Sequence, residues 1–169
     1  ADGIIEESPL KAGHRMSIVA SGPAARRFRD LMSPWGMRIA VAGDEVGRAS
    51  ALKCLRQIMT KGHMALLIEC LTAASQYGLM DEVFASTAQW FNAGNFEELA
   101  ERVAVSTTVH ATRRAEEAGM AVDMLREMGI APLMSSAAQQ VLGKVAQLDL
   151  RNRLGGHAPP NMAAALQLM

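Results

Sequence analysis

The chain has 169 residues, half of them apolar, with 17 basic and 17 acidic side chains and no net charge. That is enough for one well-buried domain, or for one domain plus part of another. A neutral balance with scattered charges argues against nucleic acid or an anionic membrane surface as the main partner. Twelve methionines against seven aromatic residues predict a helical interior filled by flexible side chains.

The first part is strand-like. Gly3-Ile4-Ile5 and Met16 to Ala20 are short apolar runs broken by Pro9, Gly13 and Gly22. A helix is predicted from Pro23 to about Met32, capped by Ser21 or Gly22, and Met37 to Ala42 reads as a third strand. Three strands with one helix leave a sheet face uncovered, and Ala1-Asp2 opens abruptly into a strand, so a further segment is expected ahead of Ala1. From Gly47 the pattern turns helical and stays so. Val46 to Tyr77 has no proline and implies one helix of roughly thirty residues, about 45 Å long, stopped by Gly78. Further helices are predicted near Met80 to Phe91, Phe96 to Val105, Thr108 to Met128, Pro132 to Leu150 and Pro160 to Leu168.

No run is long enough to span a membrane, the longest being Met64 to Ile68, and no secretory signal opens the chain. Cys54 and Cys70 fall on the one long helix, about 24 Å apart, too far for a disulfide. Free thiols of this kind suit a reducing cytoplasm. His14, His63, His110 and His157 show no metal-ligand spacing with each other or with the cysteines, so no metal site is expected.

The long helix is the informative element. At about 100° per residue, Lys53, Gln57, Thr60 and Met64 form one stripe, which Leu67, Ile68 and Leu71 continue as a wholly apolar one. Beyond Met64 the helix is apolar nearly all round, Glu69 being the main exception, which predicts burial in a bundle or an oligomer. The polar first half is expected to border a cleft holding water or ligand. Lys53, flanked by Leu52 and Cys54, is a candidate for proton transfer if those neighbours withdraw it from water, and the Gln57 amide could hold a substrate oxygen. The same residues equally suit a lysine that snorkels to solvent and an amide that satisfies a neighbour.

Gly43-Asp-Glu-Val-Gly-Arg-Ala-Ser-Ala-Leu-Lys53, then Gln57, Thr60-Lys61-Gly62, Ala65 to Glu69, Ala73-Ala74 and Gly78, resembles the β-hydroxyacid dehydrogenase and 6-phosphogluconate dehydrogenase superfamily. There a glycine turn after the last Rossmann strand leads into a long helix carrying a lysine, with an amide residue one turn later. Asp2 to Ser8, His14 to Gly22 and Ser33 to Gly43 resemble the strands and turns just before that helix. Arg113-Arg114, Glu117, Met124 to Gly129, Pro132 and Met134 resemble a second long helix and its turn.

The resemblance implies a mostly α fold in two parts. Residues 1–43 would be the last strands of a Rossmann-type dinucleotide-binding domain, and residues 44–169 an all-helical substrate and dimerisation domain around a very long central helix. It implies an NAD(P)-dependent oxidoreductase that moves a hydride between nicotinamide and a small hydroxyacid, carbonyl or imine. Lys53 would handle the proton and Gln57 position the heteroatom. Glu6, Glu7, Ser8, Thr60 and Lys61 would contact substrate, and Gly47 would contact the cofactor. A homodimer or higher oligomer through the long helix is also implied.

Three departures accompany the match. Glu6-Glu7-Ser8 stands where Ser-Gly-Gly is usual, and two acids there would repel a substrate carboxylate. Gln57 replaces Asn. No Gly-x-Gly-x-x-Gly follows a strand, so the cradle for the cofactor pyrophosphate is absent from these residues. The alternative reading is a helical dimerisation module that keeps the fold without the chemistry, toward which Glu6 and Glu7 lean. Among the remaining residues, Met120, Met124 and Met128 are expected in a core or subunit seam, Arg113 and Glu117 as a helix-surface pair, His63 in a structural role, and Trp35 and Trp90 as anchors.

Overall fold

The short apolar runs at the N-terminus form three strands in the computed structural model, which describes all 169 residues apart from the side chain of Pro9. The strands are β1 (Asp2–Ile5), β2 (Ser17–Ser21) and β3 (Arg38–Val41), paired in that order. β1 runs antiparallel to β2 with Ile4 opposite Val19, and β2 runs parallel to β3 with Val19 opposite Ala40. Two short helices intervene, α1 (Pro9–Ala12) and α2 (Ala25–Met32), the latter packing on β3. The predicted cap of α2 is not made. The residue before the helix is Ala24, whose methyl group cannot accept a bond, and the Ser21 hydroxyl is engaged with Asp2 and Ala49. At Gly22 the backbone is left-handed, with φ near 100°, and an added Cβ would stand 3.1 Å from the Val46 side chain.

Helix α3 (Arg48–Tyr77) is a single run of 30 residues. It is followed by α4 (Met80–Phe91), α5 (Phe96–Glu127), α6 (Leu133–Gln147), α7 (Leu150–Arg153) and α8 (Met162–Leu168). Gly78, at φ 72°, takes the left-handed conformation that ends α3. The mostly helical fold behind a small sheet is the one the sequence predicts. The chain forms two compact units, Ala1–His63 and Met64–Met169, with α3 continuous through the boundary.

In the first unit the core is small: Ile4 and Val19 pack with Ala49 of α3, and Ala42 lies against them. Ala49 is fully buried, so the first turn of the helix sits directly on the sheet. In the second unit α6, α7 and α8 all pack on α5. The predicted break between Val105 and Thr108 does not occur. The Ser106, Thr107 and Thr108 hydroxyls donate to the carbonyls of Arg102, Val103 and Val105 at 2.5, 2.6 and 2.7 Å. Bonded within the helix in this way, they do not compete with its backbone ladder. The Arg114 guanidinium then donates to the Thr107 and Ser106 hydroxyls. Burial pulls Arg114 below its ordinary value, and the neighbouring Arg113 adds to that.

The helix predicted to run to Leu150 ends earlier, because Asp149 adopts a left-handed conformation with φ 51°. A short polar side chain tolerates that conformation, and Asp149 accepts a bond from the Asn152 amide at 2.9 Å. Trp35 is 74 % exposed rather than packed as the expected anchor. Trp90 meets Phe91 edge-on and lies under the Arg102 guanidinium. Met120 is 73 % exposed, so it is not part of a core within the chain. Arg113 and Glu117 pair at 2.6 Å as expected.

Glu69, the polar exception in the second half of α3, has a specific role. Its carboxylate accepts from the Met134 and Ser135 amides, each at 2.8 Å, and from the Ser135 hydroxyl at 2.6 Å. Pro132, just before α6, has no side chain able to cap it, so Glu69 caps that helix from another element. Desolvation raises the Glu69 pKa, but the bonds from Ser135 and Met134 outweigh it and hold the carboxyl below its ordinary 4.5. A group depressed in the folded state contributes stability above its unfolded value and loses it as pH falls through the folded one. Replacing Glu69 by alanine is therefore expected to cost about 1–2 kcal/mol at neutral pH. Urea unfolding followed across pH should show this deficit shrinking as pH falls below about 4.5; a deficit independent of pH would exclude the ionised cap.

Candidate functional site

The candidate site is built on the first half of α3, and its position depends on how the N-terminus of that helix is held. Gly47 precedes the helix and has no side chain to cap it. Its left-handed backbone, φ 97°, turns the chain into Arg48, and its carbonyl accepts from Ala51 at 2.8 Å. The free amides of the first turn are met by the sheet. Ala49 donates to the Ser21 hydroxyl at 3.0 Å, and Ser50 donates to Asp2 through its amide at 3.0 Å and its hydroxyl at 2.7 Å. Ser21 itself donates to Asp2 at 3.2 Å, and the two face each other across β1 and β2. The Ser50 hydroxyl and amide, then Ser21 and the Gly47 amide, hold the Asp2 carboxyl below its ordinary value. Arg48 adds a bond from Nε to the Ala42 carbonyl at 2.8 Å.

This anchoring presents Lys53, Gln57, Thr60 and Lys61 on one uninterrupted helix, and all four are exposed. Leu52, which was expected to help withdraw Lys53 from water, is itself 44 % exposed, and Cys54 is exposed. The polar stripe lines neither the groove beside β1 and β2 nor the one at the helix start. Near the helix start a groove of about 330 Å³ is lined by Ala42, Arg48, Ala51, Leu52 and Leu55, without Lys53 or Gln57.

Glu6 and Glu7 are not bare carboxylates. Glu6 pairs with Arg56 of α3 at 2.7 Å. Glu7 accepts from Arg38 Nη2 at 2.8 and 2.6 Å and from Ser17 at 3.2 Å. The expected repulsion of a substrate carboxylate is thereby offset at both acids. The Glu6 pair also joins the end of β1 to the helix one turn beyond Lys53. Ser8 is exposed, and its carbonyl starts the α1 turn by accepting from Lys11 and Ala12.

Sequence reasoning missed Arg56, whose spacing of three from Lys53 places it on a neighbouring line of the same helix. It also missed Asp2, Ser21 and Ser50, whose signal is faint: an acid at a strand start and two serines far apart in the chain. The residues present do not make a dinucleotide cradle. The Gly47 amide faces Asp2, and the glycine turn after β2 closes by Gly22 donating to the Gly43 carbonyl at 3.0 Å.

Comparison with known proteins agrees with the fold. Residues 74–145 match a domain family of unknown function, DUF1932. The chain is 32 % identical over 103 residues to an uncharacterized 28.5 kDa protein in the 7S RNA 5′ region of Methanothermus fervidus, covering 61 % of this chain and 40 % of that one. It superposes on the solved conserved protein MTH1747, of unknown function and described as structurally similar to 3-hydroxyacid dehydrogenases. That match has a TM-score of 0.51 and 37 % identity over 93 % of this chain and 58 % of the other. A conserved hypothetical protein from Sinorhizobium meliloti 1021 matches with a TM-score of 0.50 and 27 % identity over 83 % of this chain and 47 % of that one. The chain therefore spans about half the length of the proteins it matches.

Removing Asp2 tests the anchor. In an Asp2→Ala variant, amide hydrogen exchange at Ala49 and Ser50 should quicken markedly while exchange in α5 and α6 stays as it was; unchanged exchange at both residues would assign the anchoring to Ser21 alone.

Proposed function

We propose that this chain, similar to the C-terminal part of 3-hydroxyacid-dehydrogenase-like proteins, forms the substrate-facing and subunit-forming part of an NAD(P)-dependent oxidoreductase. The single observation that carries this reading is the geometry of α3. Its N-terminus is fixed on a sheet of mixed strands, and Lys53 and Gln57 stand exposed one turn apart beyond that fixed end. When bound, the nicotinamide supplies the hydride, and it is held by a segment other than these residues. On this chain, Lys53 Nζ gives or takes the proton on the substrate heteroatom, and the Gln57 amide orients that atom. The substrate is a small hydroxyacid, carbonyl or imine. Arg56, one turn from Lys53 and in balance with Glu6, supplies a positive group for an acidic substrate to approach.

The open side of α3 supports self-association. Leu55, Ile58 and Met59 on one side of the helix, and Met64 and Ile68 farther along on the other, are each more than half exposed. A homodimer or higher oligomer covers those side chains. No helix of the chain is long and apolar enough to cross a membrane.

The test is turnover in the protein that includes a dinucleotide-binding segment. Lys53→Ala should lower kcat by at least about a hundredfold with NAD(P)H affinity unchanged. Unchanged kcat would remove Lys53 from the chemistry. Sedimentation over a wide concentration range should show a species larger than one copy, and a monomer throughout would sink the oligomer.

A further inference from the structure

Arg114 of α5 carries a charge that no acid of the chain neutralises. Its guanidinium is half-buried, with Nη2 donating to the Ser106 hydroxyl at 2.7 Å and Nη1 to that of Thr107. Both hydroxyls donate their own hydrogens to the carbonyls of Arg102 and Val103, so toward the arginine they can only accept. They hold its fork about two turns back along the helix. A neutral donor would serve such hydroxyls as well, and the positive charge is surplus to that role.

No carboxylate bonds to Arg114 among the described residues. Glu117, one turn on, pairs with Arg113 at 2.6 Å instead, and Glu116 lies about 200° round the helix. Burial, and then the neighbouring Arg113, hold the guanidinium below its ordinary value. Of the five N–H donors of an arginine side chain, two are committed here. A partly desolvated cation with donors to spare is stabilised by an anion that takes them, and its flat fork matches the paired oxygens of a carboxylate or phosphate.

Space for such a group lies alongside. A groove of about 620 Å³ has Ser106 and His110 on one side and Gly156, Ala158 and Pro160 on the other. His110, one turn before Arg114 on a neighbouring line, is exposed and brings a ring N–H donor. The acids of the groove, Glu98 and Glu101, stand toward the start of α5, roughly 13 Å or more from His110 along the axis. Glu98 closes a capping box with Asn95, and Glu101 accepts from the Met162 amide at 3.0 Å. Arg102, the remaining charged group there, lies over the Trp90 ring.

We propose that Arg114, with His110 and the Ser106 edge of the groove, forms a binding site for the carboxylate or phosphate of a small molecule. The two hydroxyls hold the fork in place before the anion arrives, so little side-chain freedom is lost on binding. The site lies wholly within Met64–Met169 and needs no second copy.

The experiment titrates the full chain with sodium acetate and, separately, with sodium phosphate, ionic strength being held with chloride, and follows it by NMR. The Arg114 Nε–H resonance and the His110 amide should shift along a saturable curve with at least one of the two oxyanions. Whichever saturates identifies the group as carboxylate or phosphate, and saturation by both marks a site for either. Arg114→Gln, with helicity checked by circular dichroism, should bind that anion at least about tenfold more weakly. Arg114→Lys, which keeps the charge and loses the fork, should bind at least about threefold more weakly, and it carries the test if the glutamine variant loses helicity. A drift that never saturates, a saturable shift confined to other residues, or a folded variant that binds as tightly as the parent overturns the site.

Discussion

Everything the candidate site can do depends on one contact, the seating of the N-terminus of α3 on the sheet by Asp2 and Ser21. Lys53 lies five residues beyond the start of the helix, about 7.5 Å along it, so its position follows from that seating. The chain fixes that start with small groups. Ala49 packs without a gap on Ile4 and Val19, and the two amides that follow Arg48 are bonded to side chains of β1 and β2. The glycine before the helix allows the sharp turn but brings no cap, so capping passes to the strands. The helix and the sheet thereby become one object, and Lys53 takes its position from both.

The same device recurs in the second unit. Glu69 caps α6, and Glu101 binds the Met162 amide at the start of α8. In each case a carboxylate on one helix meets the unpaired amides of another, where the helix dipole favours negative charge. These acids are held in place by backbone amides and serve as joints between elements. Helices α6 and α8 thus have both an apolar face against α5 and a polar tie at their first turn, which fixes their register as well as their contact.

What the individual units leave open is as informative as what they close. Apolar side chains line much of α3 outside its seating, and the positive and negative surpluses of the chain sit on separate segments.

The strands, the length of α3, its glycine stop and the Lys53–Gln57 spacing were legible in the sequence, because each depends on local periodicity and on residues with strong backbone preferences. So was the resemblance, whose order of motifs survives in the fold. Four things were not legible. The union of two predicted helices into α5 rests on hydroxyls that bond within the helix and on Arg114 seven and eight residues away. The early end of α6 rests on a left-handed aspartate, which no pattern of apolar residues marks. The neutralisation of Glu6 and Glu7 requires Arg56 and Arg38, distant by 50 and 31 positions. The anchoring of α3 joins Asp2 to Ser50 across 48. By itself the sequence determined which segments are helix or strand and which side chains share a helix face, since those follow from neighbours along the chain. Only the tertiary structure decided which charges are paired and which helix ends are capped, because hydrogen bonds and ion pairs form between groups that folding, not sequence order, brings within 3 Å.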